Sequence, residues 1–354
     1  MNSRELVKAA LIGQDVPRIP TGPLAVHFCA RFGAVTLRQY TLDPMAMAKS
    51  IINYYHRFRP DAVWLSADTW VNAQAMGANV GFSDENQPAG GVGPPHVRTL
   101  KDLDLIPPPD PERQGRWPLM LEAMRLIREE LRDQVFIVAC FDQYPFSLAS
   151  QLVGLNEIMI AVVEQPAFVQ RVMERCLDYG AAYAIALARA GADMLSGGDS
   201  PAGLLGPRLY KAIAQPFEKR LIQRIKSEVE LPVSLHICGD ATPILAEMAA
   251  TGADVLEIDY PVQINQAFAM VDSRVALWGN LDPVGLLAQA DPDTVYRKTR
   301  ELLECVWHAG GKRFVLSSGC TLAVETPEEN LDAFLAAARH FGQGTYFVST
   351  RQRR

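Results

Sequence analysis

The sequence predicts a single α/β domain over residues 1–354, a (β/α)8 barrel of the TIM type, and three observations carry that expectation. Eight short aliphatic and β-branched runs alternate with amphipathic helical stretches along the chain, and such alternation builds a parallel sheet that eight units can close on itself. No Gly-rich dinucleotide fingerprint follows an early strand, and no shift in composition divides the chain. Both facts weigh against an open doubly wound sheet with a second domain. Finally, the 354 residues are 49% hydrophobic and 21% charged, the balance of a chain that buries a large core rather than one that stays disordered.

Taken in order, the chain starts with a short amphipathic segment, Met1 to Gln14, carrying Arg4, Glu5 and Lys8. It reads as an N-terminal extension rather than a signal peptide. The expected strands are Pro23–Phe28, Asp61–Ala67, Val135–Phe141, Ala192–Ser196, Pro232–Ile237, Asp254–Ile258, Arg274–Trp278 and Arg313–Ser317. Between the first two, Asp43 and Pro44 fit the N-cap and first position of a helix whose apolar stripe is Met47, Ile51, Ile52, Tyr55 and Phe58. The same three-to-four-residue spacing recurs in Leu119–Leu131, Phe168–Ala190, Leu209–Val229, Pro243–Ala250, Val295–His308 and Pro327–Phe341. Asn86 to Gly115 breaks the rhythm with seven prolines, at 88, 94, 95, 107, 108, 109 and 111. So many missing N–H groups exclude regular structure there and predict a long loop after the second strand, either a lid or binding loop or a passive surface insertion.

Charge and cysteine usage narrow the function. Lys and Arg total 34 against 40 Asp and Glu, a net charge of −6, and no basic run exceeds the terminal Arg351, Arg353 and Arg354. A nucleic-acid surface is therefore not expected. No stretch of about 18 apolar residues spans a bilayer, so the expected location is cytoplasmic, without a membrane partner. Six cysteines scattered over the chain are too sparse for a disulfide scaffold and read as reduced thiols, some available to a metal.

In a barrel of this kind chemistry collects at the carboxyl ends of the strands. Those ends carry His27, Asp68, Asp142, Asp199, His236 with Cys238, Glu257 with Asp259, Asn280 with Asp282, and Cys320. Leu235-His236-Ile237-Cys238 is the sharpest element, because alternate strand residues share a face and so bring an imidazole and a thiol together. Cys320 ends the last strand, and closure can carry it to the same rim. One His and two Cys suit zinc with an open coordination position; the same residues also fit a buried histidine and two unrelated core cysteines. Glu257 and Asp259, on the neighbouring strand, are either an oxygen ligand and an acceptor for His236 or solvated rim carboxylates. Asp68 is either a helix cap or a site residue.

The chain resembles the uroporphyrinogen decarboxylase superfamily. The resemblance rests on Asp68 to Gly77, Gly197-Gly198-Asp199, Trp278-Gly279-Asn280-Leu281-Asp282-Pro283, Ser318-Gly319-Cys320, and Thr326-Pro327-Glu328-Glu329-Asn330. That superfamily consists of (β/α)8 barrels and also holds corrinoid-dependent methyltransferases, whose His-x-Cys plus distant Cys zinc arrangement is reproduced by His236, Cys238 and Cys320. The resemblance implies zinc on those three residues, with Glu257 a candidate fourth ligand. It places Asp68 and Glu257 in catalytic positions and Asn280 and Asp199 against the cofactor. The decarboxylases carry an arginine-rich N-terminal motif where Thr21 to Arg31 here has only Arg31, which argues against a porphyrinogen substrate.

The implied activity is transfer of a methyl group between a small substrate and the cobalt of a corrinoid. The last helix ends near His340 and the residues beyond it lack a D-x-H-x-x-G signature, so the corrinoid is expected on a partner protein. A thiol acceptor would need a cation to hold its anionic end, and Arg31 is the only arginine near a strand end. Phe28, Trp64, Trp70, Phe141, Tyr144, Phe146 and Tyr260 lie near those ends. They either fill the barrel core and its interface with the helices or build an aromatic pocket, and such a pocket favours a methoxylated donor, demethylated onto Co(I), over a methylcobamide:thiol transfer.

Overall fold

The structure, a computed structural model, describes residues 1–90 and 93–343; Arg351, Arg353 and Arg354 lie outside the described residues. Its strands are β1 (Ala62–Leu65), β2 (Val80–Gly81), β3 (Ala89–Gly90), β4 (Phe136–Gln143), β5 (Met194–Gly198), β6 (Ser234–Ile237), β7 (Val255–Ile258), β8 (Ala276–Leu281) and β9 (Phe314–Ser318). Seven of them form one sheet in the order β1-β4-β5-β6-β7-β8-β9, while β2 and β3 pair separately as a hairpin. Every pairing in the large sheet is parallel.

The expected first strand, Pro23–Phe28, is not a strand. The gap between β9 and β1 is closed two residues earlier, where Thr21 bridges Leu316 and its carbonyl accepts from the N–H groups of Asp61 and Ala62. Pro20 and Pro23 flank this point and cannot donate to a ladder, which limits it to a single rung. Beyond it, His27–Cys29 turns into a short 3-10 helix.

Alternation along the strands divides the apolar residues into two cores. Trp64, Phe136, Val138, Met194, Val255, Ala276, Trp278 and Val315 point inward and pack with Val7 and Leu11 from the helix Ser3–Leu11. That helix, held at its start by an Asn2–Glu5 capping box, plugs the amino end of the barrel. Burying each of its apolar side chains contributes about 1.5–3 kcal/mol. The larger core lies between the sheet and the outer helices. Polar strand residues are thus left at the carboxyl end, which stays open.

Helices Pro44–Phe58, Trp117–Leu131, Pro166–Ala190, Pro292–His308 and Glu328–Phe341 fall where the periodicity predicts them. Asp43 caps the first of these by accepting from the Met45 and Ala46 N–H groups. The stretch expected as one helix over Leu209–Val229 is two, Gly206–Ile213 and Gln215–Lys226, because Pro216 cannot donate a helical hydrogen bond across the junction. Pro243–Ala250 is likewise split into Thr242–Ile244 and Leu245–Ala249.

The proline-rich segment is not the structureless loop expected. It contains β3 and a five-residue helix, Leu100–Asp104, with a Thr99–Asp102 capping box. The prolines fall before position 96 and after position 106, which leaves that turn of helix free to form. Among the described residues no single helix is long and apolar enough to cross a membrane; only Pro145–Val153 and Leu155–Glu164 taken together reach that length, and they are bent by 109°.

Candidate metal centre

β6 presents Ser234 and His236 on its inward face, Cys238 follows immediately, and β9 delivers Cys320 two residues past its end. One atom from each of His236, Cys238 and Cys320 lies within 4.8 Å of the others. His236 Nε2 is 3.1 Å from Cys238 Sγ, and the two sulfurs are 3.8 Å apart. His236 Nδ1 is 2.9 Å from the Glu257 backbone carbonyl. An oxygen acceptor there requires Nδ1 to carry the proton, which leaves the Nε2 lone pair facing the sulfurs.

The residues fit zinc. Two metal–sulfur bonds of about 2.3 Å at a tetrahedral angle put the sulfurs about 3.8 Å apart, the separation found here. His236 is buried while Cys238 is exposed and Cys320 half-buried, so a fourth position would face the opening. Burial lowers the affinity of His236 for a proton, but its contact with Cys320 outweighs this and pushes it up to about 9. The Cys320 contact pushes Cys238 down to about 7. Cys320 itself is raised, by Cys238 and then by burial.

Local chain geometry holds this arrangement. Gly239, at φ 81°, turns the chain after Cys238 in a conformation that favours glycine, and its N–H donates to Asp259 at 2.7 Å. Gly319 passes so close to the end of β7 that a Cβ would come within 2.5 Å of the Tyr260 nitrogen. The Cys238 N–H donates to the Ser200 hydroxyl at 3.2 Å.

The other residues singled out in the sequence sit differently. The Glu257 carboxylate is not among the three clustered ligands; it accepts from the Ser196 hydroxyl at 2.7 Å and from that of Ser234, while burial raises its pKa. Glu257 therefore meets His236 through its backbone. The Asp259 carboxylate serves the Gly239 and Tyr260 N–H groups. Asp199 is fully buried and turned away from the mouth: its carboxylate accepts from the Ser147 N–H at 2.7 Å and neighbours Glu218, and burial raises the pKa of both. Asn280 donates to the carbonyls of Asp259 and Val262, stapling the turn after β7.

Asp68 is paired. It receives both terminal nitrogens of Arg116, one of them at 3.0 Å, and the Trp70 N–H at 2.8 Å. Arg116 Nε donates to Gln74 at 2.6 Å. No sequence pattern pointed to this arginine, which lies 48 positions from Asp68 just past the proline-rich segment and in no motif. Nearby, burial pushes Asp142 up to about 8 and His27 down to about 4, so both are mainly uncharged at neutral pH.

The expected aromatic pocket does not form. Phe28, Trp64, Phe141, Tyr144 and Phe146 are buried in the two cores, leaving Trp70 partly and Tyr260 largely exposed. Arg31 donates to the Val324 and Thr326 carbonyls and lies against the Phe28 ring.

A curled parallel α/β sheet with a His/Cys/Cys cluster at its carboxyl rim defines an enzyme fold of the TIM-barrel type with a candidate metal centre. A family model for "Uroporphyrinogen decarboxylase (URO-D)" matches residues 2–341, and the chain belongs to that family. It is 28% identical over 292 residues to a uroporphyrinogen decarboxylase of Trichodesmium erythraeum, covering 80% of this chain and 79% of the relative. It is 27% identical over 336 residues to the methylcobamide:CoM methyltransferase MtaA of Methanosarcina barkeri, covering 93% and 95%. A solved methyltransferase structure from Methanosarcina mazei superposes with a TM-score of 0.85 at 26% identity, covering 96% of this chain and 99% of that one.

Proposed function

We propose that the protein is a zinc-dependent methyltransferase that moves a methyl group between a small substrate and a corrinoid carried by a separate protein, within one (β/α)8 domain and in the cytoplasm. The observation that carries this reading is the convergence of His236, Cys238 and Cys320. Decarboxylation has no evident use for a soft-ligand metal site, and among the described residues the arginines singled out at the mouth are not free for a polycarboxylate: Arg31 and Arg116 are both engaged.

When bound, zinc supplies Lewis acidity at an open position, drawing charge from the heteroatom that carries the methyl group. His236 is held for this by the Glu257 carbonyl, and Cys238 by the Ser200 hydroxyl. The favoured direction is demethylation of a methoxylated donor onto Co(I). Its support is not an aromatic pocket but a β1 and β4 wall in which the charges cancel, Asp68 against Arg116 with Asp142 and His27 mainly neutral.

Metal analysis and a methyl-transfer assay test the reading together. Purified protein is expected to hold about one zinc per chain, and to methylate cob(I)alamin from a methoxyarene faster than it demethylates methylcobalamin with a thiol. Release of CO2 from uroporphyrinogen by metal-free protein would replace this function with decarboxylation.

A further inference from the structure

β4 is interrupted at the level of the metal ligands. Its register to β5 shifts between Cys140 and Gln143, and Asp142 stands at φ 77°, a left-handed conformation that costs a non-glycine residue of order 1 kcal/mol. Asp142 is held there by the Asn72 N–H, which donates to its carboxylate at 2.8 Å. Before the bulge, Phe136 and Val138 face the barrel interior while Ile137, Ala139 and Phe141 face the outer core. Alternation therefore points Cys140 inward. One inserted residue resets that alternation, so Asp142 turns aside toward the helix Val71–Ala75 and Gln143 takes the next inward place.

Gln143 pairs with Gly198, and Gly198 pairs with His236. Two strand spacings therefore separate Gln143 from the metal-ligand strand, about 10 Å. The residue between them is glycine, which puts no side chain of its own into that gap. A Cβ on Gly198 would meet only Gln143 Nε2 and the His236 carbonyl at 3.9 Å and the Asp142 carbonyl at 4.0 Å. The layer beneath is also accessible, since Ser66 and Cys140 point inward yet are only half-buried. The Gln143 amide has the Asp142 carboxyl beside it, and among the described residues its remaining donor and acceptor positions have no other partner.

We propose that Gln143 is a specificity-determining residue of the mouth: its amide hydrogen-bonds an uncharged oxygen function of a small methyl donor whose methyl-bearing heteroatom lies at His236, Cys238 and Cys320. This rests on the methyl-transfer reading for the identity of the donor, but the binding contact is separable from the reaction. Among the described residues, an ionic head group would find no unpaired counter-charge on this wall, since Arg116 is held by Asp68 and Gln74. A neutral amide suits a hydroxyl or ether oxygen, to which it can donate or from which it can accept.

The test uses zinc-loaded protein and two probes, 2-methoxyphenol and the trimethylammonium ion, with binding followed by calorimetry. Wild type is expected to prefer 2-methoxyphenol. Gln143→Leu should weaken that binding roughly 3- to 10-fold, the contribution of one neutral hydrogen bond, with zinc content and circular dichroism unchanged. Gln143→Glu should shift the preference toward trimethylammonium by about 10-fold or more, as a new carboxylate in a shielded site would. Equal affinity of wild type and Gln143→Leu for 2-methoxyphenol overturns the proposal, as does a wild type that binds neither probe or prefers the cation. Binding with the expected pattern but no methyl transfer to cob(I)alamin would leave the Gln143 contact in place and remove the methyltransferase reading.

Discussion

On the β6 and β9 side of the mouth, an imidazole and two thiols are gathered at one point, with Cys238 exposed. On the β1 and β4 side, a carboxylate and a guanidinium are locked together, with side chains only 2% and 4% exposed. The difference follows from solvation. Thiols and imidazoles can face an open position at small cost, whereas an ionised carboxylate or guanidinium taken from water must be paired and hydrogen-bonded. One wall is therefore free to take a metal, and the ion pair of the other is already satisfied. Loss of a residue should accordingly remove metal from the first and stability from the second.

The largest effect expected is on metal content. A Cys238→Ala, Cys320→Ala double variant should fold yet lose zinc affinity by more than the 10–100-fold that loss of an outer hydrogen-bond partner costs, and activity with it. Full zinc occupancy in that variant, measured by metal analysis after dialysis, would end the distinction between the walls. Arg116→Ala comes next. It strands the Asp68 carboxylate in a site 8% exposed and should destabilise the fold by about 3–5 kcal/mol. A joint replacement of Asp68 and Arg116 by Leu and Met should recover most of that loss. Denaturant melts read both, and zinc content should stay near wild type in each; a parallel loss of zinc would show that the walls act as one unit.

The two walls also differed in how far they could be read from the sequence. His236 and Cys238 are two residues apart on one strand, so period-2 alternation alone puts them on one face, and the barrel expectation brings Cys320 to the same rim. Arg116 joins Asp68 only through the path of the segment between them, which no local pattern specifies. Seven sheet strands were legible because their apolar runs are buried on both faces; the eighth was displaced to Thr21 by two prolines that silence the ladder. Glu257, Asp199 and Asn280 were placed on the correct strands, but strand position does not say whether a polar group meets a ligand or a neighbouring hydroxyl. The aromatic residues failed for the same reason, since proximity to a strand end does not distinguish the mouth from the layer behind it.

Glu257→Gln sharpens the first wall with a smaller effect. The carboxylate bonds Ser196 and Ser234, and it is the backbone carbonyl that holds His236. The amide should therefore change zinc affinity by well under the 10–100-fold expected of an orienting partner. A loss beyond that range in a zinc titration would return the carboxylate to the metal's surroundings.

A pH dependence tests the second wall. Burial raises Asp142 from its ordinary 3.8 to about 8, with Asp68 adding to the shift and Arg116 opposing it. Cys140 and Tyr183 also face it and are themselves raised by burial, so both stay neutral across this range. Between those two values the folded chain holds a proton at Asp142 that the unfolded chain has released. The group's contribution to stability is thus present below about pH 4 and declines as pH rises, reaching its least favourable value above about pH 8. Asparagine does not titrate, keeps a donor and acceptor, and tolerates the left-handed backbone. Asp142→Asn should therefore gain on wild type as pH rises: the difference in melting temperature, variant minus wild type, becomes more positive from pH 5.5 to pH 9 as the buried charge appears only in wild type. Other titrating groups are common to both proteins and cancel in that difference. A difference that is flat with pH would show that Asp142 is ionised throughout, and the second wall would then carry a net negative charge favouring a cationic substrate over a neutral one.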